Sequence, residues 1–198
     1  QCIGRISEVQ KNSYLIRYLE KEISAKLSGK FYREETMFPV VGDYVTFRYN
    51  PKGDSKIIEI CERKNFLTRP DTAKSMKEQP MVANIDYAFL VMSLNDNFSV
   101  NRAVRYAATV LQEGVQPIVI LTKVDLCPDV EKLKEQLKEM LPQIEVHAVS
   151  ALTGDGMDKL QVYLQPENTI ALLGSSGVGK STLVNALAGT EIMKTGEI

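Results

Sequence analysis

Residues 174–182 have the types and spacing needed to hold a chain of phosphates. The segment matches the pattern G-x-x-x-x-G-K-[ST] in full and lies between an apolar run and an amphipathic run of helical spacing. Glycines let backbone N–H groups turn inward on phosphate oxygens, and the N-terminus of the following helix adds partial positive charge. The segment consists of Gly174, Ser175, Ser176, Gly177, Val178, Gly179, Lys180, Ser181 and Thr182.

Two side chains of this segment have predicted roles in phosphate chemistry. Lys180 is predicted to reach the β- and γ-phosphates of a nucleoside triphosphate, and the Ser181 hydroxyl is predicted to ligate Mg²⁺. A glycine-rich turn without a ligand is the structural alternative, and the full motif between a strand and a helix argues against it. We therefore predict a nucleotide site in which Lys180 and Ser181 act in catalysis.

A second segment could select the base of that nucleotide. Thr122, Lys123 and Asp125 follow an apolar strand directly, and ligands of open α/β sheets bind at the carboxyl ends of strands. The Asp125 carboxylate could accept hydrogen bonds from guanine N1–H and from the exocyclic amine. Adenine lacks this donor pair, so bound ATP would leave the carboxylate unsatisfied.

A third segment follows the next strand of the same predicted sheet. There, Ser150, Ala151 and Leu152 would place backbone N–H groups near the guanine carbonyl. Taken alone, a T-K-x-D segment is more often a loop or a helix start, and S-A-L is more often a plain loop. Their positions after successive strands favour guanine recognition.

Strand and helix patterns alternate from residue 83 onwards. Nearly continuous apolar runs predict buried strands, and apolar residues at helical spacing predict helices between them. The predicted strands are 85–94, 117–121, 145–149 and 169–173; the predicted helices are 100–111 with Ser99 as N-cap and a stop at Gly114, 130–141 capped by Asp129, 157–164 and 180–188. Such alternation predicts a parallel sheet covered on both faces.

Residues 1–68 show a different pattern, in which turn residues separate short β-type runs without a helical pattern between them. The predicted strands are 13–18, 22–27, 43–49 and 56–61. We expect a small antiparallel barrel; the five-stranded oligonucleotide-binding type fits the size, and an SH3-like barrel fits almost as well. Residues 69–82 contain two prolines and no clear periodicity, so they are the predicted linker to a sheet domain at 83–198.

Composition and charge narrow the function classes. The chain has 198 residues and neither a bilayer-spanning apolar run nor a secretory signal pattern, so we expect a soluble, cytoplasmic protein without a membrane partner. Basic residues outnumber acidic ones 13 to 9 in residues 1–70, and acidic residues outnumber basic ones 16 to 11 afterwards. This asymmetry weakly favours a polyanionic partner for the first part, although plain solvated surfaces also carry such an excess.

The cysteines and the histidine suggest structural roles. Cys2, Cys61 and Cys127 are odd in number and far apart, which favours reduced thiols over a disulfide framework or a metal site. The sole histidine, His147, lies in a strand-like run, and a partly buried structural role is the favoured interpretation.

The order of the motifs is unusual for a nucleotide-binding protein. Asp125 precedes Lys180 by 55 positions, whereas GTPases related to translation factors have the phosphate loop first. A parallel sheet tolerates this permutation because moving the chain ends leaves the packed core intact. With the leading barrel and the segments LTKVDL at 121–126, VSALTGDGM at 149–157 and GSSGVGKSTLVNAL at 174–187, the chain resembles, over essentially its whole length, the circularly permuted GTPases of the RsgA (YjeQ/YloQ) family.

This resemblance implies an oligonucleotide-binding barrel followed by a circularly permuted P-loop GTPase domain of the α/β class, incomplete at its C-terminus. It further implies binding of GTP and GDP with Mg²⁺, hydrolysis of GTP stimulated by the small ribosomal subunit, assistance in the assembly of that subunit, and contact with ribosomal RNA. We also expect a monomer.

The chain departs from the pattern of such GTPases in two respects. Thr122 stands where many GTPases have an asparagine that contacts the purine and braces the phosphate loop, and a hydroxyl can supply only part of that bonding. The sequence stops at Ile198, before the family's switch segments and zinc-binding C-terminal domain, and it does not begin with methionine. We therefore expect part of a longer protein, with zinc confined to a domain absent from this chain.

Two other function classes remain open from the sequence. The chain could be chiefly an RNA-binding module whose nucleotide site is a switch, or an ATP-using P-loop enzyme. A basic, aromatic face on the barrel would favour the RNA-binding module, although strand aromatics usually fill a core and lysines usually face water. Its candidate residues are Lys11, Arg17, Lys26, Lys30, Arg33, Arg48, Tyr14, Tyr18, Phe31 and Tyr32.

Overall fold

The computed structural model describes residues 1–33, 37–68, 80–94, 98–191 and 193. The chain divides into two compact units, Gln1–Ile85 and Asp86–Ile198, each with its own hydrophobic core. Every helix in the described ranges is too short or too polar to traverse a lipid bilayer.

The first unit contains a closed barrel in the order β1-β2-β3-β5-β4. Its strands are β1 Cys2–Val9, β2 Tyr14–Tyr18, β3 Lys21–Leu27, β4 Tyr44–Arg48 and β5 Ser55–Ile60, and the short helix α1 Lys30–Arg33 lies between β3 and β4. Five strands match the oligonucleotide-binding barrel type. Alternating side chains from these strands, such as Ile16, Val45 and Ile57, fill the barrel core.

The structure corrects three details of the predicted barrel. Strands β3 and β5 pair in parallel, so the barrel is not wholly antiparallel. Strand β1 was missed, because its outward-facing charges and its glycine weaken a β pattern that only pairing with β2 and β4 completes. The helix α1 was also missed, since four residues are too few to show helical periodicity.

A two-stranded sheet completes the first unit. Strand β6 Phe66–Thr68 pairs antiparallel with β7 Pro80–Ala83, so residues 80–82 form a strand instead of the end of the predicted linker. The rest of that linker, 69–79, lies outside the described residues. The Asn65 side chain both donates to and accepts from the backbone of Ile85 at 2.8 Å, which fixes the chain where the first unit ends.

The second unit is built on a parallel sheet of order β10-β9-β8-β11. Its strands are β8 Tyr87–Ser93, β9 Gln116–Thr122, β10 Val146–Ala148 and β11 Ile170–Leu173. Its helices are α2 Val100–Gln112, α3 Val130–Met140 and α4 Lys180–Ala188, with 3₁₀ helices at Val124–Leu126 and Met157–Tyr163. The predicted alternation of strands and helices is confirmed.

Some of the predicted helix caps and helix types are confirmed by the structure, and others are not. Ser99 caps α2 as predicted, accepting a hydrogen bond from the Arg102 amide at 3.4 Å. By contrast, the Asp129 side chain makes no capping hydrogen bond to α3, and the segment after Gly156 forms a 3₁₀ helix instead of the predicted α-helix. Leu111, the last residue of the predicted helix 100–111 and one of its apolar residues, is 51% exposed. Packing against the sheet selects a neighbouring stripe of that helix instead.

Candidate nucleotide-binding site

The predicted phosphate segment forms the loop between β11 and α4, at the carboxyl end of the sheet. Gly179 is the N-cap of α4, and it offers no side chain to the first N–H groups of the helix. Those N–H groups, together with the positive end of the helix dipole, are therefore available to an anion. Gly179 has φ of 94°, a conformation that favours glycine.

The start of the loop passes very close to the neighbouring strand β8. A Cβ atom on Gly174 would lie 2.4 Å from the Val91 carbonyl oxygen, so no larger residue fits without moving backbone. The following residues, Ser175, Ser176 and Gly177, are exposed. The loop is thus fixed at its base and open along the part that a phosphate chain would contact.

Lys180 extends back along the loop. Its Nζ atom donates hydrogen bonds to the carbonyl oxygens of Gly174 at 2.8 Å and Ser175 at 2.7 Å. Partial burial lowers the pKa of this ammonium group from its ordinary value. Phosphate oxygens would supply the negative charge that favours the charged form, so the geometry fits a polyphosphate ligand.

Ser181 and Thr182 begin α4 beside Lys180. Ser181 is half-buried, whereas Thr182 is exposed. A serine hydroxyl at this position, next to the lysine that faces the loop, is a suitable oxygen ligand for Mg²⁺. Within the described ranges, no three His, Cys, Asp or Glu side chains cluster as a protein-only metal site would require.

Thr122 connects the predicted base-reading segment to the phosphate loop. Its Oγ1 atom donates to the Val178 carbonyl oxygen at 2.6 Å and lies 3.3 Å from the Met92 carbonyl oxygen. The side chain is buried, so this hydrogen bond is shielded from water. The hydroxyl therefore braces the loop, the part of the asparagine's role that a single donor can fill.

Asp125 and Ser150 lie together although they follow different strands. The buried Ser150 hydroxyl donates to Asp125 Oδ1 at 2.6 Å. Among the described residues, none donates to Asp125 Oδ2, and the carboxylate is exposed. One oxygen is thus held in place while the group keeps acceptor capacity for an incoming donor pair.

The loop after β10 orients the remaining predicted base contacts. The Ser150 amide donates to the Asp155 carbonyl oxygen at 2.9 Å, which closes the loop between these two residues. The backbone N–H groups of Ala151 and Leu152 bond to no residue in the described part of the chain, and the Leu152 side chain is 85% exposed. Both amides are therefore free to donate to a ligand, as the guanine hypothesis requires.

Two cavities lie near these residues. One, of about 340 Å³, is lined by Lys123 and loop residues 174–178; the other, of about 350 Å³, is lined by Asp125 and the strand β10. The base-reading carboxylate is thus not part of the first cavity. Arg102 on α2 also lines the first cavity, and the sequence offered no signal for it because the other lining residues come from distant segments.

His147 and the cysteines have structural surroundings. His147 Nε2 lies 2.9 Å from the Tyr163 hydroxyl, which in turn donates to Glu145 Oε2 at 2.6 Å. The imidazole is half-buried, as predicted. Cys2, Cys61 and Cys127 are free thiols.

The barrel only partly forms the suggested basic, aromatic face. Tyr14 and Phe31 are buried in the barrel core, which corrects their assignment to a stacking surface. Tyr32 is 68% exposed and contacts Phe38 edge-on, with ring centroids 5.7 Å apart. Lys26 pairs with Asp54 at 2.7 Å, so its charge is partly compensated.

Comparison with known proteins identifies the family of this chain. The family model described as RsgA GTPase matches residues 60–198, which is more than half of the chain. The chain belongs to the RsgA GTPase family. This membership confirms the resemblance and the circularly permuted order of the motifs.

Curated relatives and solved structures extend the match to the barrel. A small ribosomal subunit biogenesis GTPase RsgA 2 from Listeria monocytogenes is 40% identical over 197 residues, which cover 98% of this chain and 55% of the relative. A small ribosomal subunit biogenesis GTPase RsgA from Methanosarcina acetivorans is 37% identical over 196 residues, 98% of this chain and 53% of the relative. The chain therefore spans about half the length of these members of the RsgA GTPase family.

Two crystal structures share the fold. YjeQ from Thermotoga maritima has a TM-score of 0.77 and 27% identity, with 94% of this chain and 64% of that chain covered. YloQ, described as a circularly permuted GTPase, has a TM-score of 0.72 and 29% identity, with 95% of this chain and 64% of that chain covered. The barrel and the permuted sheet of this chain are thus those of the RsgA GTPase family.

Proposed function

We propose that this chain binds GTP and GDP and forms the front part of an enzyme that hydrolyses GTP to GDP and phosphate. The observation that carries this proposal is the 2.6 Å hydrogen bond from Thr122 to Val178. It joins the segment that contains Asp125 to the phosphate loop across 56 positions of sequence. Selection of the base and grip on the phosphates would then be properties of one site.

In the proposed reaction, the γ-phosphoryl group of GTP is transferred to water. Catalysis of this kind depends mostly on positioning and on neutralising the charge of the phosphates. Lys180 and the N–H groups at the start of α4 would stabilise that charge, and Ser181 would hold Mg²⁺. When bound, the metal would supply a second positive charge at the phosphate oxygens.

Guanine selection is proposed to depend on Asp125, held by Ser150 at 2.6 Å. Its carboxylate would accept from guanine N1–H and from the exocyclic amine, while the amides of Ala151 and Leu152 would donate to the guanine carbonyl. Lys123 would lie beside the bound nucleotide, because it lines the cavity at the phosphate loop. An adenine base would leave these groups without partners.

We further propose that the whole protein assists small ribosomal subunit assembly in the cytoplasm, as a monomer that contacts ribosomal RNA through its barrel. The names of the relatives and the five-stranded barrel support this part of the proposal. Salt-dependent binding of the whole chain to ribosomal RNA would support it. Light scattering would measure the mass in solution and so test whether the protein is a monomer.

The nucleotide assignment is tested by calorimetry and competition. Lys180→Ala should abolish GTP binding, because it removes the ammonium group at the loop, while Lys138→Ala, at an exposed lysine of α3, serves as a matched control and should bind normally. Unchanged binding by the Lys180 variant would refute the site. Displacement of labelled GTP by GDP but not by ATP is expected; displacement by ATP with equal strength would favour an ATP-using enzyme.

A further inference from the structure

Arg102 is a cation beside the phosphate loop that belongs to none of the nucleotide-binding motifs. It lies in the first turn of α2, where its amide donates to the Ser99 hydroxyl at 3.4 Å. Its side chain lines the cavity of about 340 Å³ that residues 174–178 also line. Because the cap fixes the start of the helix, the side chain leaves α2 at a defined position next to the loop.

The surroundings of Arg102 do not compensate its charge. The side chain is half-buried, and among the residues that the structure describes its guanidinium group has neither an ion-pair partner nor a hydrogen-bond acceptor. Of the described residues that line the cavity, Lys123 is also basic and none is acidic. Partial burial of an unpaired guanidinium is costly unless a negative charge comes close to it. The side chain therefore favours an anion at this part of the loop.

The position of Lys180 indicates which part of a bound nucleotide would lie closest to this cavity. Its Nζ atom donates to the carbonyl oxygens of Gly174 at 2.8 Å and Ser175 at 2.7 Å, and both of these residues line the cavity. The lysine of a phosphate loop reaches the β- and γ-phosphates. The cavity that contains Arg102 therefore borders the part of the loop at which the terminal phosphates would bind.

We propose that Arg102 is a specificity-determining residue of the nucleotide site, whose charge favours the triphosphate GTP over the diphosphate GDP. This inference rests on the proposed function and adds a cation from α2 to the same site. GTP carries additional negative charge on its γ-phosphate, and a half-buried cation attracts that charge more strongly than an exposed one, because water and salt screen it less. Loss of the γ-phosphate would therefore weaken the binding of the product.

Nucleotide affinities of charge variants of the full chain test this inference. Calorimetry in the presence of Mg²⁺ compares GDP with a GTP analogue whose bridge between the β- and γ-phosphates resists hydrolysis. Arg102→Gln, which removes the charge, should weaken binding of the analogue about tenfold and binding of GDP less than about threefold. Arg102→Lys, which keeps the charge, should retain most of the preference. Arg105→Gln is the matched control, because Arg105 is an exposed residue of the same helix, and both affinities should stay nearly the same.

Two outcomes would overturn the role of Arg102 alone: an unchanged ratio of the two affinities in Arg102→Gln, or an equal change of that ratio in Arg105→Gln. Arg102→Met, also without charge, replaces the glutamine variant if circular dichroism shows misfolding. The proposed function fails by a different result, which is that the unmodified chain binds neither nucleotide, and the role of Arg102 then fails with it. A chain that binds both nucleotides without any effect of Arg102 contradicts only this inference.

Discussion

At the scale of single residues, Thr122 is the side chain on which the candidate site depends most. Its hydroxyl is buried and bonds the loop at Val178, so it fixes the distance between two segments that would otherwise be joined only through the sheet. A buried hydroxyl of this kind tolerates no isosteric apolar replacement without leaving the carbonyl unsatisfied. The loop's geometry is therefore sensitive to a single atom.

Replacing Thr122 with valine should weaken GTP binding about tenfold, which corresponds to the roughly 1–2 kcal/mol lost when a buried hydrogen bond is broken. Thr109→Val is a matched control, because the Thr109 hydroxyl donates to the Arg105 carbonyl oxygen on the exposed side of α2. Titration calorimetry measures both variants. Equal affinities for the two variants would contradict the bracing role.

His147 makes a pH-dependent contribution to stability. Burial lowers its pKa below the ordinary 6.5, and Glu145 only partly opposes this. The folded chain therefore resists protonation that the unfolded chain accepts, so the free energy of unfolding should fall as the pH drops below about 6.5. Above that pH both states hold a neutral imidazole, and the effect vanishes.

The titration can be followed directly because His147 is the sole histidine of the chain. Its ring protons should titrate in NMR spectra with a midpoint below 6.5. In the variant His147→Gln, the free energy of unfolding should depend less on pH below about 6.5. A midpoint at or above the ordinary value would show that Glu145, and not burial, governs the group.

At the scale of elements, a buried ion pair fixes the residue that directly precedes β4. Arg63 donates to both carboxylate oxygens of Asp43 at 2.7 Å, and Asp43 also accepts from the Val40 amide at 2.8 Å. Asp43 is fully buried. Because both carboxylate oxygens of Asp43 have partners, the ion pair fixes the conformation of the segment from Val40 to β4.

Asp43→Asn should destabilise the chain by about 3–5 kcal/mol, since it leaves the Arg63 charge buried without its counter-ion. Asp54→Asn is a matched control: its ion pair with Lys26 has the same 2.7 Å length but is largely exposed. That variant should lose little stability, because water and salt screen an exposed ion pair. Urea denaturation measures both, and similar losses would show that burial does not set the strength of these pairs.

At the scale of the whole molecule, each of the two units has a hydrophobic cluster of its own among the residues that the structure describes. One fills the barrel and includes Ile57; the other lies against the parallel sheet and includes Ile120. Both side chains are fully buried. A barrel proposed to bind RNA and a sheet domain proposed to bind GTP thus have independent sources of stability.

Ile57→Ala and Ile120→Ala should each cost about 2–5 kcal/mol, the usual range for emptying a packed site. GTP affinity should fall only in the Ile120 variant, because that residue lies in β9, the strand that ends at Thr122. Thermal unfolding and calorimetry on the full chain measure the two effects. Loss of GTP affinity in the Ile57 variant would show that the units depend on each other.

The sequence alone determined the phosphate loop, the α4 boundaries and the alternation of the second unit, because these follow from local patterns of glycine and apolar spacing. It also indicated a barrel, but not the parallel pairing of β3 with β5 or the strand β1, which depend on partners far along the chain. The 3₁₀ geometry after Gly156 likewise depends on packing.

Tertiary structure decided how the chemical groups meet. The Thr122–Val178 and Ser150–Asp125 hydrogen bonds join segments 56 and 25 positions apart, and side-chain types alone do not specify such distances. Arg102 carries no motif, yet the packing of α2 beside the loop brings its charge to a cavity. Local sequence fixes which groups are present, whereas the packing of the sheet and its helices fixes which of them share a site.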